Sequence, residues 1–173
     1  MRNAIAAVLM LLAGPALATG IQIQVEGEAS GTITIDLLED VAPEHTAQIA
    51  AIAAVGGYDG VVFHRVIDGF MAQTGDVEFG KLGGNMSRAG MGGSNRPDLR
   101  AEFSDIPFDR GVVGMARSQN PNSANSQFFI MFKDGHFLNG QYTVWGRVIE
   151  GMEHVDAITK GEPPKNPDRM VSV

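Results

Sequence analysis

The segment VFHRVIDGFMAQTGD, residues 62–76, places His64 and Arg65 side by side in a largely apolar stretch. An arginine guanidinium is effectively always charged, so this side chain has to reach solvent, a partner or a ligand. No serine, cysteine or acidic residue accompanies the pair at the spacing that hydrolytic chemistry uses. The segment therefore indicates a site in which an arginine acts in apolar surroundings without a nucleophile.

The rest of the chain excludes several common chemistries. It contains no cysteine, which removes thiol chemistry and cysteine metal sites, and neither G-x-S-x-G nor S-x-x-K, the patterns of common serine hydrolases. The four histidines, at positions 45, 64, 136 and 154, form no close pair at ligand spacing, so we expect no metal site. A carboxylate pair for glycoside hydrolysis stays open, although no pair stands out.

The segment GKLGGNMSRAGMGGSNRP, residues 80–97, is dense in glycine and poor in apolar side chains. We expect a long surface loop, a kind of segment that often carries function. No G-K-[ST] closes the segment and no helix pattern follows it, so it fits neither a phosphate-binding loop nor a dinucleotide fingerprint. We therefore expect no cofactor.

The first residues, MRNAIAAVLMLLAGPALATG, have the pattern of a secretory signal peptide. Arg2 precedes an apolar run over 4–12, and an A-x-A cleavage site ends at Ala18. Cleavage there predicts a leader over 1–18 and one mature domain over 19–173, an ordinary size for a single core. An uncleaved membrane anchor is the alternative, but the apolar run is shorter than the roughly 20 residues of a span.

The net charge of the chain limits the classes of partner that it is expected to bind. The formal net charge is −7, and without Arg2 of the leader the mature chain has 12 basic and 20 acidic residues, a charge of −8. An acidic chain without a cluster of lysine and arginine is poorly suited to nucleic acid or anionic membranes. The expected partners are proteins, peptides or small neutral molecules, and nothing in the sequence demands more than a monomer.

Alternating apolar residues and turn signals predict a mainly β domain. Residues 21–25 and 32–37 alternate with period two and predict a hairpin. A helix over 42–55 opens with a proline and ends at a glycine pair, and a second helix is predicted over 150–159. Short apolar runs bounded by turn residues predict further antiparallel strands in a sandwich or barrel; these runs are VVFHRV, GFMAQTG, GVVGMA, SQFFIMF, YTVWGRV and the C-terminal RMVSV.

Three separated blocks of the sequence carry a family resemblance: FHRVI-x-GFM-x-Q at 63–73, SQFFI at 126–130 and HFLNGQYTVWGRVIEGM at 136–152. In type and order they resemble the cyclophilin family of peptidyl-prolyl cis-trans isomerases. Weaker similarity covers nearly all of the mature chain. The resemblance implies a closed eight-stranded antiparallel β-barrel capped by two α-helices, and an enzyme that accelerates rotation about the bond before proline.

The resemblance also implies the residues of the site. Arg65 stands at the position of the catalytic arginine. Asp68 and Arg117 replace residues that are often Pro and Asn, while Phe137 and Tyr142 stand where many eukaryotic members have Trp and His. The residues implied to bind substrate are His64, Ile67, Phe70, Met71, Gln73, Gly90, Ala116, Arg117, Gln127, Phe129, Phe137, Leu138 and Tyr142.

Proline isomerisation accounts for an arginine without a nucleophile, because rotation about an amide breaks no bond to carbon. With the predicted leader, the resemblance implies a periplasmic enzyme that acts on proline-containing peptides and on unfolded or folding proteins. One alternative is a module of the same fold that binds proline peptides or holds unfolded chains with little turnover. Another is a barrel around a small apolar ligand, which the many bulky Phe and Ile residues disfavour.

Overall fold

The computed structural model describes residues 19–173, and the predicted leader over 1–18 lies outside them. These residues form one eight-stranded antiparallel sheet with the strand order β3-β4-β6-β5-β7-β2-β1-β8. In this part of the chain, no helix has the length and apolar character needed to cross a membrane. The elements are β1 (Gly20–Glu26), β2 (Gly31–Leu37), α1 (Pro43–Ala54), β3 (Arg65–Ile67), β4 (Met71–Thr74), β5 (Val112–Met115), β6 (Phe128–Met131), β7 (Val144–Glu150), α2 (Met152–Asp156) and β8 (Arg169–Ser172), with short 3₁₀-helices at Met86–Arg88 and His136–Leu138.

The predicted hairpin is confirmed by β1 and β2. Ile23 faces Ile33 and Ile21 faces Ile35 across the pair, and these apolar residues are buried while their neighbours along β1 are exposed. Successive side chains of a strand point to opposite faces, so the period of two in the sequence becomes one buried and one solvated face. Both helices and the C-terminal strand also form where the sequence predicts them.

The sheet is open between its edge strands β3 and β8, which corrects the closed barrel that the resemblance implied. Since β3 has only three residues, it offers few main-chain groups for a ladder with β8. Isolated bridges span part of this gap: Val62 faces Arg169, and Val66 exchanges hydrogen bonds of 2.8 and 2.9 Å with Gly161. Over residues 19–173 the architecture is a half-barrel with two helices.

Large side chains fill the core on one face of the sheet. Trp145, Phe128 and Tyr58 are fully buried, and the Phe128 ring meets the other two edge to face at centroid distances of 5.3 and 5.7 Å. The next residue of β6, Phe129, points to the opposite face and belongs to a second, smaller apolar cluster. This filled interior argues against the alternative of an internal apolar ligand.

A residue far along the chain caps the N-terminus of α1. The residue that precedes the helix, Ala42, has no side chain that could do so. The Glu102 carboxylate accepts hydrogen bonds from the main-chain N–H groups of Glu44 at 3.1 Å and His45 at 3.0 Å, and it also contacts the His45 ring. Because a helix N-terminus carries partial positive charge, a carboxylate is favourable there.

Replacing Glu102 by alanine is expected to lower the free energy of unfolding by about 2 kcal/mol, because two N–H groups lose an anionic acceptor. Urea unfolding followed by the fluorescence of Trp145, the one tryptophan of the chain, measures the change. The control is Glu39→Ala, at an exposed position before α1. An equal effect of the two substitutions would contradict the capping role.

Candidate active site

Three neighbouring strands place the central candidate residues in one row. Arg65 of β3 pairs with Gln73 of β4, and Gln73 pairs with Phe129 of β6. Directly opposed residues in antiparallel strands present their side chains on the same face. The row therefore runs from an exposed guanidinium, through an amide, to an apolar ring that is 5% exposed.

An open pocket of about 410 Å³ lies over this row. Its buried apolar lining includes Met71, Phe129 and Leu138. Tyr142 meets the Phe129 ring edge to face at 5.8 Å, and Phe137 is 66% exposed at the rim. The pocket thus combines apolar walls with polar side chains along its edges, and its lining residues are Arg65, Phe70, Met71, Gln73, Ala116, Arg117, Phe129, Phe137, Leu138, Gln141 and Tyr142.

Packing beneath the pocket holds the Phe129 ring in place. Phe108 stacks against it with a centroid distance of 5.7 Å. The absence of a side chain at Gly114 makes room for both rings, since a β-carbon there would lie 2.5 Å from Phe129 and 2.6 Å from Phe108. The floor of the pocket is therefore formed by close packing that precedes any ligand.

A chain of hydrogen bonds runs from Arg65 across the row. Arg65 Nη1 donates to Gln73 Oε1 at 3.3 Å, and Gln73 Nε2 donates to Gln127 Oε1 at 3.0 Å. Gln127 Nε2 in turn donates to the carbonyl oxygens of Gly90 and Gly92, at 3.0 and 2.7 Å. The guanidinium is thereby linked to the glycine-rich loop, and both glutamine amides have a defined orientation.

A buried carboxylate anchors the glycine-rich loop. Asp76 is fully buried, and its Oδ2 accepts hydrogen bonds from the N–H groups of Gly90 at 2.7 Å and Gly92 at 3.0 Å. Its Oδ1 accepts two more, from Glu78 at 3.1 Å and Phe79 at 2.9 Å. Four N–H donors satisfy the buried charge, as a buried carboxylate requires. The loop's position beside Gln127 therefore depends on Asp76.

A second cavity of about 230 Å³ adjoins the pocket and shares Gln73, Ala116 and Arg117 with it. Gly90 and Gln127 line this second cavity. The Ala116 N–H already donates to the Gln127 carbonyl at 2.9 Å, whereas the Arg117 main chain forms no hydrogen bond with any residue in 19–173. Within these residues the Arg117 main chain therefore has an unpaired N–H and C=O where the two cavities meet.

The identity of the fold follows from a match along almost the whole described chain. A family model described as "Cyclophilin type peptidyl-prolyl cis-trans isomerase/CLD" matches residues 21–173. The chain belongs to the cyclophilin family. As a cyclophilin it falls in the isomerase class, which agrees with a site that has an arginine and apolar walls but no nucleophile.

Similar proteins support the same assignment. A protein of Brucella suis named "Probable peptidyl-prolyl cis-trans isomerase" is 61% identical over 148 residues, which cover 82% of this chain and 76% of that protein. A peptidyl-prolyl cis-trans isomerase of Acinetobacter baylyi is 36% identical over 158 residues, covering 83% and 79%. A cyclophilin structure from Hirschia baltica has a TM-score of 0.74 at 28% identity, covering 88% of this chain and 72% of that chain. A cyclophilin-type isomerase of Cryptosporidium parvum, crystallised in the presence of the dipeptide Ala-Pro, has a TM-score of 0.75 at 27% identity, covering 89% and 96%.

In this cyclophilin the predicted site residues divide between the two cavities and their support. Gly90 and Gln127 lie in the second cavity, and ten predicted residues line the pocket. Ile67 lines neither cavity and packs half-buried against the apolar cluster below them. His64 lies on the other side of Arg65, in a small depression of about 330 Å³ with Glu162. The ten in the pocket are Arg65, Phe70, Met71, Gln73, Ala116, Arg117, Phe129, Phe137, Leu138 and Tyr142.

Three contacts at the site were not predicted from the sequence. The Arg117 guanidinium lies 4.4 Å from the Tyr142 ring centroid, and its Nη2 donates to the Gln141 carbonyl at 2.6 Å. Glu162 accepts from Arg65 although 97 positions separate the two residues. Gln141 stands inside a matched sequence block and could have been included, but nothing in the sequence singles out Glu162.

His64 is a buried support of the loop rather than part of the pocket. It is 5% exposed, and neither ring nitrogen has a hydrogen-bond partner within residues 19–173. A β-carbon at Gly90 would lie 3.0 Å from the imidazole, so the ring packs directly under the loop. Burial lowers the pKa of His64 and outweighs the opposing effects of the Asp76 charge, the Gln127 side chain and the Val62 main chain; the charge of Arg65 adds a smaller lowering effect. The ring is therefore neutral at neutral pH.

The lowered pKa predicts a pH-dependent stability. In the unfolded chain His64 takes up a proton below about pH 6.5, whereas in the folded chain it resists protonation. Above about pH 6.5 the ring is neutral in both states, and its titration does not affect the free energy of unfolding. As the pH falls below about 6.5, the unfolded chain binds the proton more readily and the free energy of unfolding decreases. We expect His64→Gln to reduce the loss of unfolding free energy between about pH 7.5 and about pH 5.5 by roughly 1 kcal/mol.

The measurement is urea unfolding of both proteins at the two pH values. The control is His136→Gln, because the His136 side chain is 57% exposed and lies on the surface. Equal pH dependence of the wild-type protein and His64→Gln would refute the contribution of the buried ring.

Three side chains outside the pocket have ligand atoms close enough to share a metal ion. Those atoms of Asp109, Asp134 and His136 lie within 4.8 Å of one another. The sequence did not predict this group, because its single histidine forms no pair with another histidine at the spacing of metal ligands. His136 Nε2 already pairs with Asp109 at 2.7 Å, and Asp134 accepts from the Arg110 N–H at 2.9 Å. The cluster belongs to the surface and contributes no residue to the pocket.

Proposed function

We propose that this cyclophilin accelerates cis-trans exchange of X-Pro bonds during the folding of exported proteins, with Arg65 as the catalytic residue. The observation that carries the proposal is the position of the Arg65 guanidinium, in one row with Gln73 and Phe129 at the edge of an apolar pocket. The Ala-Pro dipeptide present with the Cryptosporidium parvum relative supports a proline peptide as the ligand.

The energetics of the reaction suit such a site. Rotation about the amide meets a barrier of about 18–20 kcal/mol, and uncatalysed exchange before proline takes tens to hundreds of seconds. Shortening roughly 100 s to about a millisecond requires about 7 kcal/mol of stabilisation that the transition state receives and the planar isomers do not. No covalent intermediate is needed, so the site requires neither a nucleophile nor a general base.

Arg65 supplies a contact that strengthens at the transition state. When the amide twists, resonance is lost and the lone pair of the proline nitrogen becomes localised on that atom, where it accepts a hydrogen bond. A guanidinium N–H directed at this nitrogen stabilises the twisted form over both planar isomers. The apolar walls formed by Met71, Phe129 and Leu138 exclude water, which strengthens the same electrostatic contact.

The pocket holds one side of the rotating bond while the other turns. The proline ring would pack on Phe129 and between Phe70 and Leu138. The peptide on the amino-terminal side would extend across Gln73 and the free Arg117 main chain into the second cavity. Holding the ring fixed turns the rotation into movement of the acyl side alone.

A protease-coupled assay on the domain from Thr19 tests the proposed activity. The protease cleaves a chromogenic peptide with a single proline only in its trans form. The cis fraction is therefore cleaved in a slow phase limited by isomerisation, and catalysis increases the rate of this phase. We expect acceleration that is linear in enzyme concentration. The alternative, a binding or holdase module, predicts saturable peptide binding with no acceleration of this phase.

The predicted leader over residues 1–18 supports export and a periplasmic location. Expression of the full-length chain in a bacterial host, followed by osmotic-shock fractionation and mass spectrometry of the N-terminus, tests it. We expect a periplasmic species that begins at about Thr19. A full-length cytoplasmic or membrane-bound product would contradict this part of the proposal.

A further inference from the structure

Glu162 contacts the catalytic arginine from the side that faces away from the pocket. Its Oε1 accepts a hydrogen bond from Arg65 Nε at 3.0 Å. The neighbouring residue, Gly161, exchanges two main-chain hydrogen bonds with Val66, which follows Arg65 on β3. The carboxylate is therefore held beside the guanidinium by the register of the main chain and not by a chance encounter of two long side chains.

We infer that Glu162 is a positioning residue, which sets the plane of the Arg65 guanidinium for catalysis. The guanidinium is a rigid planar fork with five N–H donors. Glu162 occupies the donor on Nε, and Gln73 occupies one on Nη1 at 3.3 Å. Contacts at two different nitrogens fix both the place and the plane of the group, and three donors remain for the substrate.

The solvent exposure of the Arg65–Glu162 ion pair indicates that it orients the guanidinium rather than stabilises the fold. The side chains of Arg65 and Glu162 are 45% and 55% exposed, and ion pairs this exposed contribute little to folding. Without Glu162 the long arginine side chain would be held by Gln73 alone and would sample other rotamers. The expected consequence is a slower catalytic step at unchanged fold stability, because fewer molecules present the donor in the reactive geometry.

The inference rests on the proposed function of Arg65, so the experiment measures both residues. NMR line-shape analysis of a proline peptide gives kcat and KM for wild type, Glu162→Ala, Glu162→Gln, Glu162→Asp, Arg65→Ala and the double variant. The matched control is Glu26→Ala, since Glu26 pairs with Arg169 at 2.6 Å and its side chain is similarly exposed, at 59%. Thermal unfolding reports the stability of each variant.

We expect Glu162→Ala to lower kcat roughly tenfold with KM nearly unchanged, less than the ~100-fold that a full 1 Å misplacement of a reacting group can cost. Glu162→Gln, which keeps an acceptor, and Glu162→Asp should each recover part of the loss. The NMR signal of the Arg65 Nε–H should shift and exchange faster with water in Glu162→Ala. In the Arg65→Ala background, Glu162→Ala should have no further effect.

Three results would overturn the inference. The first is an unchanged or higher kcat in Glu162→Ala while Arg65→Ala is impaired, which would leave the proposed function intact. The second is an equal loss in the Glu26→Ala control. The third is full activity of Arg65→Ala, which would refute the proposed function together with the inference built on it.

Discussion

Replacing Arg65 by alanine is expected to lower kcat/KM for proline isomerisation by about 100- to 1,000-fold. That range corresponds to removal of one preorganised donor that acts on charge developing in a transition state. The loss should fall mainly on kcat, because the apolar walls that bind the proline ring remain. The protein should stay folded, since the Arg65 side chain is 45% exposed and its ion pair lies at the surface.

Arg65→Lys is the informative companion variant. Lysine keeps the positive charge but not the planar fork, so it cannot contact Gln73 and Glu162 while also pointing a donor at the substrate. We expect Arg65→Lys to recover only a small part of the activity. Wild-type activity in Arg65→Ala, measured in a protein with an unchanged melting temperature, would show that the guanidinium does not catalyse the rotation.

Replacing Asp76 by asparagine is expected to lower the free energy of unfolding by about 3–5 kcal/mol. The substitution keeps the size of the side chain but replaces one carboxylate oxygen by an NH₂ group. Each oxygen of Asp76 accepts from two N–H groups, so in either orientation of the amide the NH₂ group faces two donors. At least two charge-assisted hydrogen bonds are then lost, at roughly 1.5–3 kcal/mol each. The position of the acceptor is itself fully buried, so the lost hydrogen bonds are ones that the protein shields from water.

Urea unfolding with Trp145 fluorescence measures this loss, and Asp68→Asn on the exposed turn before β4 is the matched control. Hydrogen exchange at Gly90 and Gly92 should also quicken in Asp76→Asn, because these N–H groups lose their acceptor. If Asp76→Asn unfolds at the wild-type urea concentration, the carboxylate is not the anchor of the loop.

Sequence patterns predicted the local elements well, because their causes are local. The alternation around Ile23 and Ile33 defines a hairpin through side chains two positions apart. The helix α1 begins at Pro43 and ends before a glycine pair, and both signals act within a few residues. The matched blocks also contained the residues of the row Arg65, Gln73 and Phe129, since the family resemblance places them together.

The closed barrel was wrong for a reason that local patterns do not contain. Whether β3 and β8 form a ladder depends on two edges that meet from opposite ends of the chain. The short apolar run at 61–66 predicted a strand, but only Arg65–Ile67 pairs regularly with a neighbour. Across this seam Val62 bridges to Arg169 and Val66 to Gly161, at separate points rather than along a continuous ladder.

The sequence by itself determined the family, the strands and helices, and most residues that line the pocket, because periodicity and short motifs express these directly. Only the tertiary structure decided that Glu162 holds Arg65, that Glu102 caps α1, and that Asp76 anchors the Gly90 loop. Each of these contacts joins a carboxylate to donors from a distant segment or across a loop. Such a pairing depends on chain register and burial in three dimensions. The local sequence around a carboxylate does not identify the donors that it will contact in the folded protein.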